Sequence, residues 1–172
     1  QANTYNAGGL LVTNIDKRNG TNITTYTPTY QVASVRYPDG GIVSNFYDAA
    51  DRLVRIRNPL GFITTNQYDL AGRLVRVSDP LGNTVSNSYD AAGNLVSVRD
   101  AAGNVASNQY DALNRLALAF NPLGDVVSNG YDAVGRLVAQ VDPKGILTEY
   151  EYDALGRRTH ERRAGIEHRF EY

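Results

Sequence analysis

The chain has 172 residues with 17 Lys and Arg against 18 Asp and Glu, and it contains no Cys, Met or Trp. Balanced charge excludes the basic footprint of a nucleic-acid binder, and the lack of Cys excludes a disulfide framework or thiolate metal site. No apolar run approaches the roughly 18 residues of a membrane span, and the missing Met at position 1 points to a piece of something longer.

In chain order, residues 1–41 hold two worn copies of a repeat, headed by Tyr5-Asn6 and Tyr26-Thr27. Residues 42–148 hold regular copies of 21 residues, with Tyr-Asp at Tyr47-Asp48, Tyr68-Asp69, Tyr89-Asp90, Tyr110-Asp111 and Tyr131-Asp132. Residues 149–172 hold a charged terminal copy headed by Tyr152-Asp153, which contains every Glu and both His of the chain. A fixed period of this size predicts a repeat array rather than one compact core. The terminal segment reads as a cap or a junction to a further domain.

Each regular unit carries two breaks. The first opens on Asp and closes on Gly72, Gly93, Gly135 or Gly156, with Asp51 and Asn114 in the same place. Asp accepts backbone hydrogen bonds in a turn, and Gly or Asn tolerates positive φ. The second break is Asn-Pro-Leu-Gly or a variant such as Asn58–Gly61, Asp79–Gly82 and Asp142–Gly145. Pro presets φ there and removes a donor that a central strand would need. Between breaks lie segments of six or seven residues rich in Val, Leu, Thr, Ser and Tyr, which read as strands.

The predicted fold is all-β, a repetitive antiparallel strip with two strands per repeat that curls into a spiral or shell. A β-solenoid or filament-forming array is the alternative. An odd period would invert every side chain between repeats in a plain meander, because residues alternate faces. One turn per unit must then absorb a residue, and a bulge closed by the turn Gly is the expected device.

Two polar columns run along the array. Arg52, Arg73, Arg115, Arg136 and Arg157 flank the first turn and are expected to lie over the Tyr opposite, with the charged head near the turn Asp. Asn45, Asn66, Asn87, Asn108 and Asn129 are expected to stack as an amide ladder, with a sugar-binding strip as the functional rival. The turn Asp residues lack a calcium-binding pattern, and His160 and His168 lack metal-ligand spacing. No nucleophile–base set or phosphate-cradling loop is present. The chain is therefore expected to be no enzyme and to need no cofactor or metal.

Tyr68-Asp69-Leu70-Ala71-Gly72-Arg73-Leu74, Tyr131-Asp132-Ala133-Val134-Gly135-Arg136-Leu137 and Tyr150-Glu151-Tyr152-Asp153-Ala154-Leu155-Gly156-Arg157 resemble the YD repeat, Y-x-Y-D-x-x-G-R-L. That repeat belongs to bacterial Rhs proteins, the C components of insecticidal Tc toxins, wall-associated repeat proteins and teneurins. Asn replaces the first Tyr in five copies, and the spacing is more uniform than in that family. The resemblance implies a secreted or cell-surface bacterial structural segment, part of a shell that encloses or presents a toxin. It also implies partners in other segments of the same polypeptide, identical chains, or the toxin cargo. Asp142-Pro143 looks superficially like the family's autoproteolytic segment, yet it falls in phase as an ordinary turn. An extracellular fibre or adhesin built through β edges or end-to-end stacking, with glycans as possible ligands, is the second expectation.

Overall fold

The computed structural model describes residues 2–15 and 20–172. Seventeen strands and no helix occur among them. They are β1 (Ala2–Tyr5), β2 (Leu11–Ile15), β3 (Thr21–Tyr26), β4 (Val32–Arg36), β5 (Ile42–Tyr47), β6 (Leu53–Arg57), β7 (Ile63–Tyr68), β8 (Leu74–Ser78) and β9 (Thr84–Tyr89). They continue as β10 (Leu95–Arg99), β11 (Val105–Tyr110), β12 (Leu116–Phe120), β13 (Val126–Tyr131), β14 (Leu137–Val141), β15 (Leu147–Tyr152), β16 (Arg158–Arg163) and β17 (Ile166–Arg169). The chain divides into two compact units, Gln1–Ser86 and Asn87–Tyr172, and the division falls within β9.

In each unit a strand pairs antiparallel with the strands before and after it in sequence, as β5 does with β6 and β6 with β7, and β11 with β12 and β12 with β13. Two strands per repeat in an antiparallel ladder set the solenoid aside, because a solenoid stacks equivalent residues in parallel. The repeat chooses this layout because a turn that reverses the chain begins every 10 or 11 residues, at Asp48, Asn58, Asp69 and Asp79, and leaves strands of five or six residues. Segments that short can satisfy their backbone groups only against an adjacent antiparallel strand.

Both breaks fold identically. Asp48 N donates to Arg52 O and Asp51 N donates back to Asp48 O; Asn58 N donates to Phe62 O and Gly61 N to Asn58 O. Each therefore places three residues between its last bonded pair. Two equal odd loops cancel, so the turn glycines do not solve the odd period as the sequence suggests. The extra residue sits one step further on, in the strand. Phe46 pairs with Arg55 while Tyr47 pairs with Leu53, leaving Val54 as a bulge. Gln109 with Leu118 and Tyr110 with Leu116 leave Ala117 in the same position. This bulge returns each repeat's side chains to the face used by the one before.

Cross-strand partners share a face. In the first unit Asn45, Ile56, Thr64, Asn66 and Val77 lie on one face, and Phe46, Arg55, Thr65, Gln67 and Arg76 on the other. In the second, Asn108, Ala119, Val127, Asn129 and Gln140 share one face, and Gln109, Leu118, Ser128, Gly130 and Ala139 the other. Among the described residues no apolar side chain is fully buried, and Thr148, at 5% exposure, is the one buried residue. Each unit thus relies on its ladder and turn bonds rather than on a second layer.

The terminal copy departs from the rule. Arg163 pairs with Ile166 across Ala164 and Gly165, both at positive φ, so two residues between the closing pair replace the usual three. That shorter turn matches the position of Tyr172, which follows Tyr152 by 20 residues where the earlier Tyr residues are 21 apart.

Candidate functional site

The recurrent polar cluster at the first turn is built from the Asp that opens it. Asp48 Oδ1 accepts from the backbone N–H of Ala50 at 2.9 Å and of Arg52 at 3.0 Å, and Oδ2 accepts from Arg52 Nε at 2.8 Å. Asp69, Asp111, Asp132 and Asp153 hold Arg73, Arg115, Arg136 and Arg157 in the same way, each pair at 2.7 Å. Where Arg is missing the turn finds another donor: Asn94 Nδ2 reaches Asp90 Oδ2 at 2.8 Å. The side-chain hydrogen bond from Arg52 lowers the Asp48 carboxyl below its ordinary range. The backbone N–H of the paired Arg is the main cause of the same lowering in Asp69, Asp111 and Asp153.

The turn closes on residues at positive φ, namely Asp51 at 58°, Gly72 at 80°, Gly93 at 94°, Asn114 at 60°, Gly135 at 90° and Gly156 at 79°. Asp and Asn occupy this region at lower cost than other residues with a Cβ. That explains why they alternate with Gly at this place.

The Arg column reaches forward rather than across its own hairpin. Arg52 lies over the ring of Tyr68 at 5.0 Å, Arg115 over Tyr131 at 4.7 Å, Arg136 over Tyr152 at 5.0 Å and Arg157 over Tyr172 at 4.9 Å. Tyr47, opposite in the hairpin, pairs instead with Leu53. The same guanidinium donates through Nη1 to the carbonyl of the next turn Asp, from Arg52 to Asp69 at 3.3 Å, Arg115 to Asp132 at 3.1 Å and Arg136 to Asp153 at 3.3 Å. One side chain therefore closes its own turn and tethers the next.

The Asn column is not an amide ladder. Asn66 Nδ2 and Tyr68 Oη both donate to the carbonyl of Leu53, each at 2.9 Å. Asn45 and Tyr47 do so to Val32, Asn108 and Tyr110 to Leu95, and Asn129 and Tyr131 to Leu116, all at 3.0 Å. Tyr26 and Tyr152 reach Leu11 and Leu137 without an Asn. The cause lies in the ladder between repeats. Pairing of β6 with β7 runs from Arg57 with Ile63 to Arg55 with Thr65 and stops short of Leu53. The leucine carbonyl, left without a backbone donor, takes two side-chain donors instead, as a carbonyl with two lone pairs can. The fixed Asn-x-Tyr spacing was visible in the sequence, but nothing there identified the shared acceptor.

Elsewhere, Asp142 accepts from Lys144 and Ile146 N–H groups and from Arg163 at 2.6 Å, the bonding of an ordinary turn. The terminal copy holds a charge network in which Glu151 meets Arg162 at 2.6 Å and His160 at 3.2 Å. Among the described residues no three His, Asp or Glu converge as for a metal ion, and no helix is long and apolar enough to cross a membrane.

The family described as RHS Repeat matches residues 47–84, 89–126 and 131–165, more than half of the chain. The crystal structure of TcdB2-TccC3 is similar with a TM-score of 0.59 at 15% identity, over 92% of this chain and 12% of that one. The crystal structure of TcdB2-TccC3-Cdc42 gives 0.53 at 17% identity, over 94% of this chain and 9% of that one. This chain spans about an eighth or less of those proteins, and at such identity the likeness concerns the fold. A comparison with curated proteins finds no match. Two strands per unit, the Asp turns and the matched residues together make this chain a structural repeat segment, and it belongs to the RHS Repeat family.

Proposed function

We propose that this chain is a non-catalytic length of wall in a longer, secreted bacterial protein of the Rhs type, whose β-shell encloses or presents a toxin or effector. The observation that carries the reading is where the recurrent polar side chains spend their bonds. Asp, Arg, Asn and Tyr of the unit bond to their own turn or to an adjacent repeat, as in the Asp111–Arg115–Tyr131 series. An active site would hold such groups toward a substrate, whereas a wall uses them to join repeat to repeat. Large apolar side chains stay exposed at the turn tips, among them Leu60, Leu81 and Leu123 at 80 to 88% exposure. Other parts of a larger protein would cover them, since exposed apolar groups in number mark contact surfaces.

Limited proteolysis of the parent polypeptide tests this. The region C-terminal to the repeats should resist protease while the repeats are intact, and become sensitive when turn substitutions unfold them. Equal sensitivity in both preparations would contradict the proposal.

A further inference from the structure

We infer that one face of the first unit is a docking surface for an extended, acidic segment of another polypeptide. Four arginines stand on it, Arg36 on β4, Arg55 and Arg57 on β6 and Arg76 on β8, and all four are exposed. The register brings them to one face: Arg36 pairs with Ile42, Ser44 with Arg57, Phe46 with Arg55, Arg55 with Thr65, and Gln67 with Arg76. Alternate residues of a strand share a face, which joins these pairs into one surface. The same strands turn Val35, Ile56 and Val77 to the other side. No strand from β3 to β9 carries an acidic residue. The turn carboxylates are spent elsewhere, Asp48 on Arg52, Asp69 on Arg73 and Asp79 on Asn83. None of the four arginines takes part in an ion pair among the described residues. The even charge of the whole chain thus hides a local excess of cations.

Guanidinium groups are planar forks suited to carboxylates and phosphates. Arg55 and Arg57 lie two residues apart on one strand, about 6.8 Å, which is also the spacing of alternate side chains in any extended peptide. The strands β4 and β8 each stand about 9.6 Å from β6 and set Arg36 and Arg76 on either side. A segment with carboxylates at alternate positions, running along β6, therefore meets both central forks and keeps the flanking cations within a Debye length. Other polyanions fit less well. Single-stranded nucleic acid stacks its bases on aromatic rings, and the ring of Phe46 is covered by Arg55 at 4.1 Å. An anionic membrane is held through apolar side chains inserted beside the charge, whereas Ser44, Thr65, Gln67 and Ser78 stand among these arginines. On its strands a second copy of this chain offers one alternating acidic pair, Glu149 and Glu151. Glu151 is already held by Arg162 at 2.6 Å and His160 at 3.2 Å.

Fluorescence anisotropy of a labelled peptide of alternating Glu and Thr, titrated with the intact chain, tests the inference. Binding should weaken steeply with added salt. A peptide of the same composition ordered Glu-Glu-Thr-Thr puts half as many carboxylates at alternate positions and should bind about threefold more weakly, as should Arg57→Gln and Arg76→Gln with the alternating peptide, the effect of one exposed charge pair. Arg99→Gln, at an exposed arginine of the second unit, should leave binding unchanged. Circular dichroism should show all three variants folded. Absence of binding at low salt, equal binding of the two peptides, or an equal loss with Arg99→Gln would overturn the inference. So would tighter binding of a single-stranded oligonucleotide or of anionic vesicles. No shell or toxin takes part, so failure here leaves the wall reading to its own proteolysis test.

Discussion

Tyr68 donates its hydroxyl to the carbonyl of Leu53 at 2.9 Å, across the boundary between one repeat and the next. A backbone ladder would ordinarily supply that bond. Here the ladder between β6 and β7 ends early, so side chains complete it and the coupling of repeats becomes a property of residue identity. Each repeat must carry the Tyr for its predecessor's sake, which is why the Tyr-Asp pair persists while the intervening residues vary.

The turn Asp works chiefly through Oδ1, which accepts two backbone N–H groups. Asp111→Asn keeps that acceptor and should shift the denaturant midpoint less than Asp111→Ala, which leaves the N–H groups of Leu113 and Arg115 without it. Asn58 and Asn121 already fill this role at second turns. Equilibrium unfolding in urea ranks the two variants.

Gly93 holds φ at 94°. Gly93→Val should cost about 1 kcal/mol or more, because a β-branched residue strains in that region. Gly93→Asn should cost less, since Asn114 sits at 60° in the equivalent place. Thermal unfolding of both variants checks the turn conformation separately from any loss of contact.

Acid should weaken the array late. Hydrogen bonds from Arg52 hold Asp48 low, and backbone N–H groups hold Asp69, Asp111 and Asp153 low. A carboxyl lowered in the folded state stabilises above its unfolded value and loses that stability as pH falls through the folded value. The unfolded value is about 3.9. The melting temperature should accordingly stay level from pH 7 to about 5 and drop below about 4, and Asp→Asn changes at these turns should flatten the drop.

Ala117 is the residue of β12 that the register leaves without a partner, between the pairs Gln109–Leu118 and Tyr110–Leu116. Deleting it leaves those pairs and their faces in place, so the second unit should still unfold cooperatively. Inserting an alanine after Ala117 would instead turn downstream side chains to the opposite face or make the register slip, and should abolish cooperative unfolding of that unit. Circular dichroism during heating distinguishes the two.

Much of the fold was legible because Asp, Pro and Gly act locally. Turn residues at Asp69–Gly72 and Asp79–Gly82 divide the chain into strands without reference to anything distant. What could not be read depends on partners set by register. The bulge falls at Val54 and not at the turn Gly because both turns proved alike, and a turn's internal bonding is not written in Gly alone. The Asn column reads as a stack in the sequence for a related reason. The carbonyl that Asn66 meets, 13 residues back, becomes available only where a ladder stops, and ladder length is a tertiary outcome. Arg52 likewise reaches Tyr68 rather than Tyr47 because the strand of the next repeat lies beside it.

The joining of repeat to repeat rests on the shared carbonyl, and a double-mutant cycle at Asn108 and Tyr110 tests it most directly. Both residues donate to Leu95 O at 3.0 Å. Asn108→Ala and Tyr110→Phe should each cost about 1 kcal/mol, because either donor alone still satisfies the carbonyl. Together they should cost more than their sum by about 0.5 kcal/mol or more, since the oxygen then loses its last side-chain partner. Additive or negligible losses would contradict side-chain coupling between repeats.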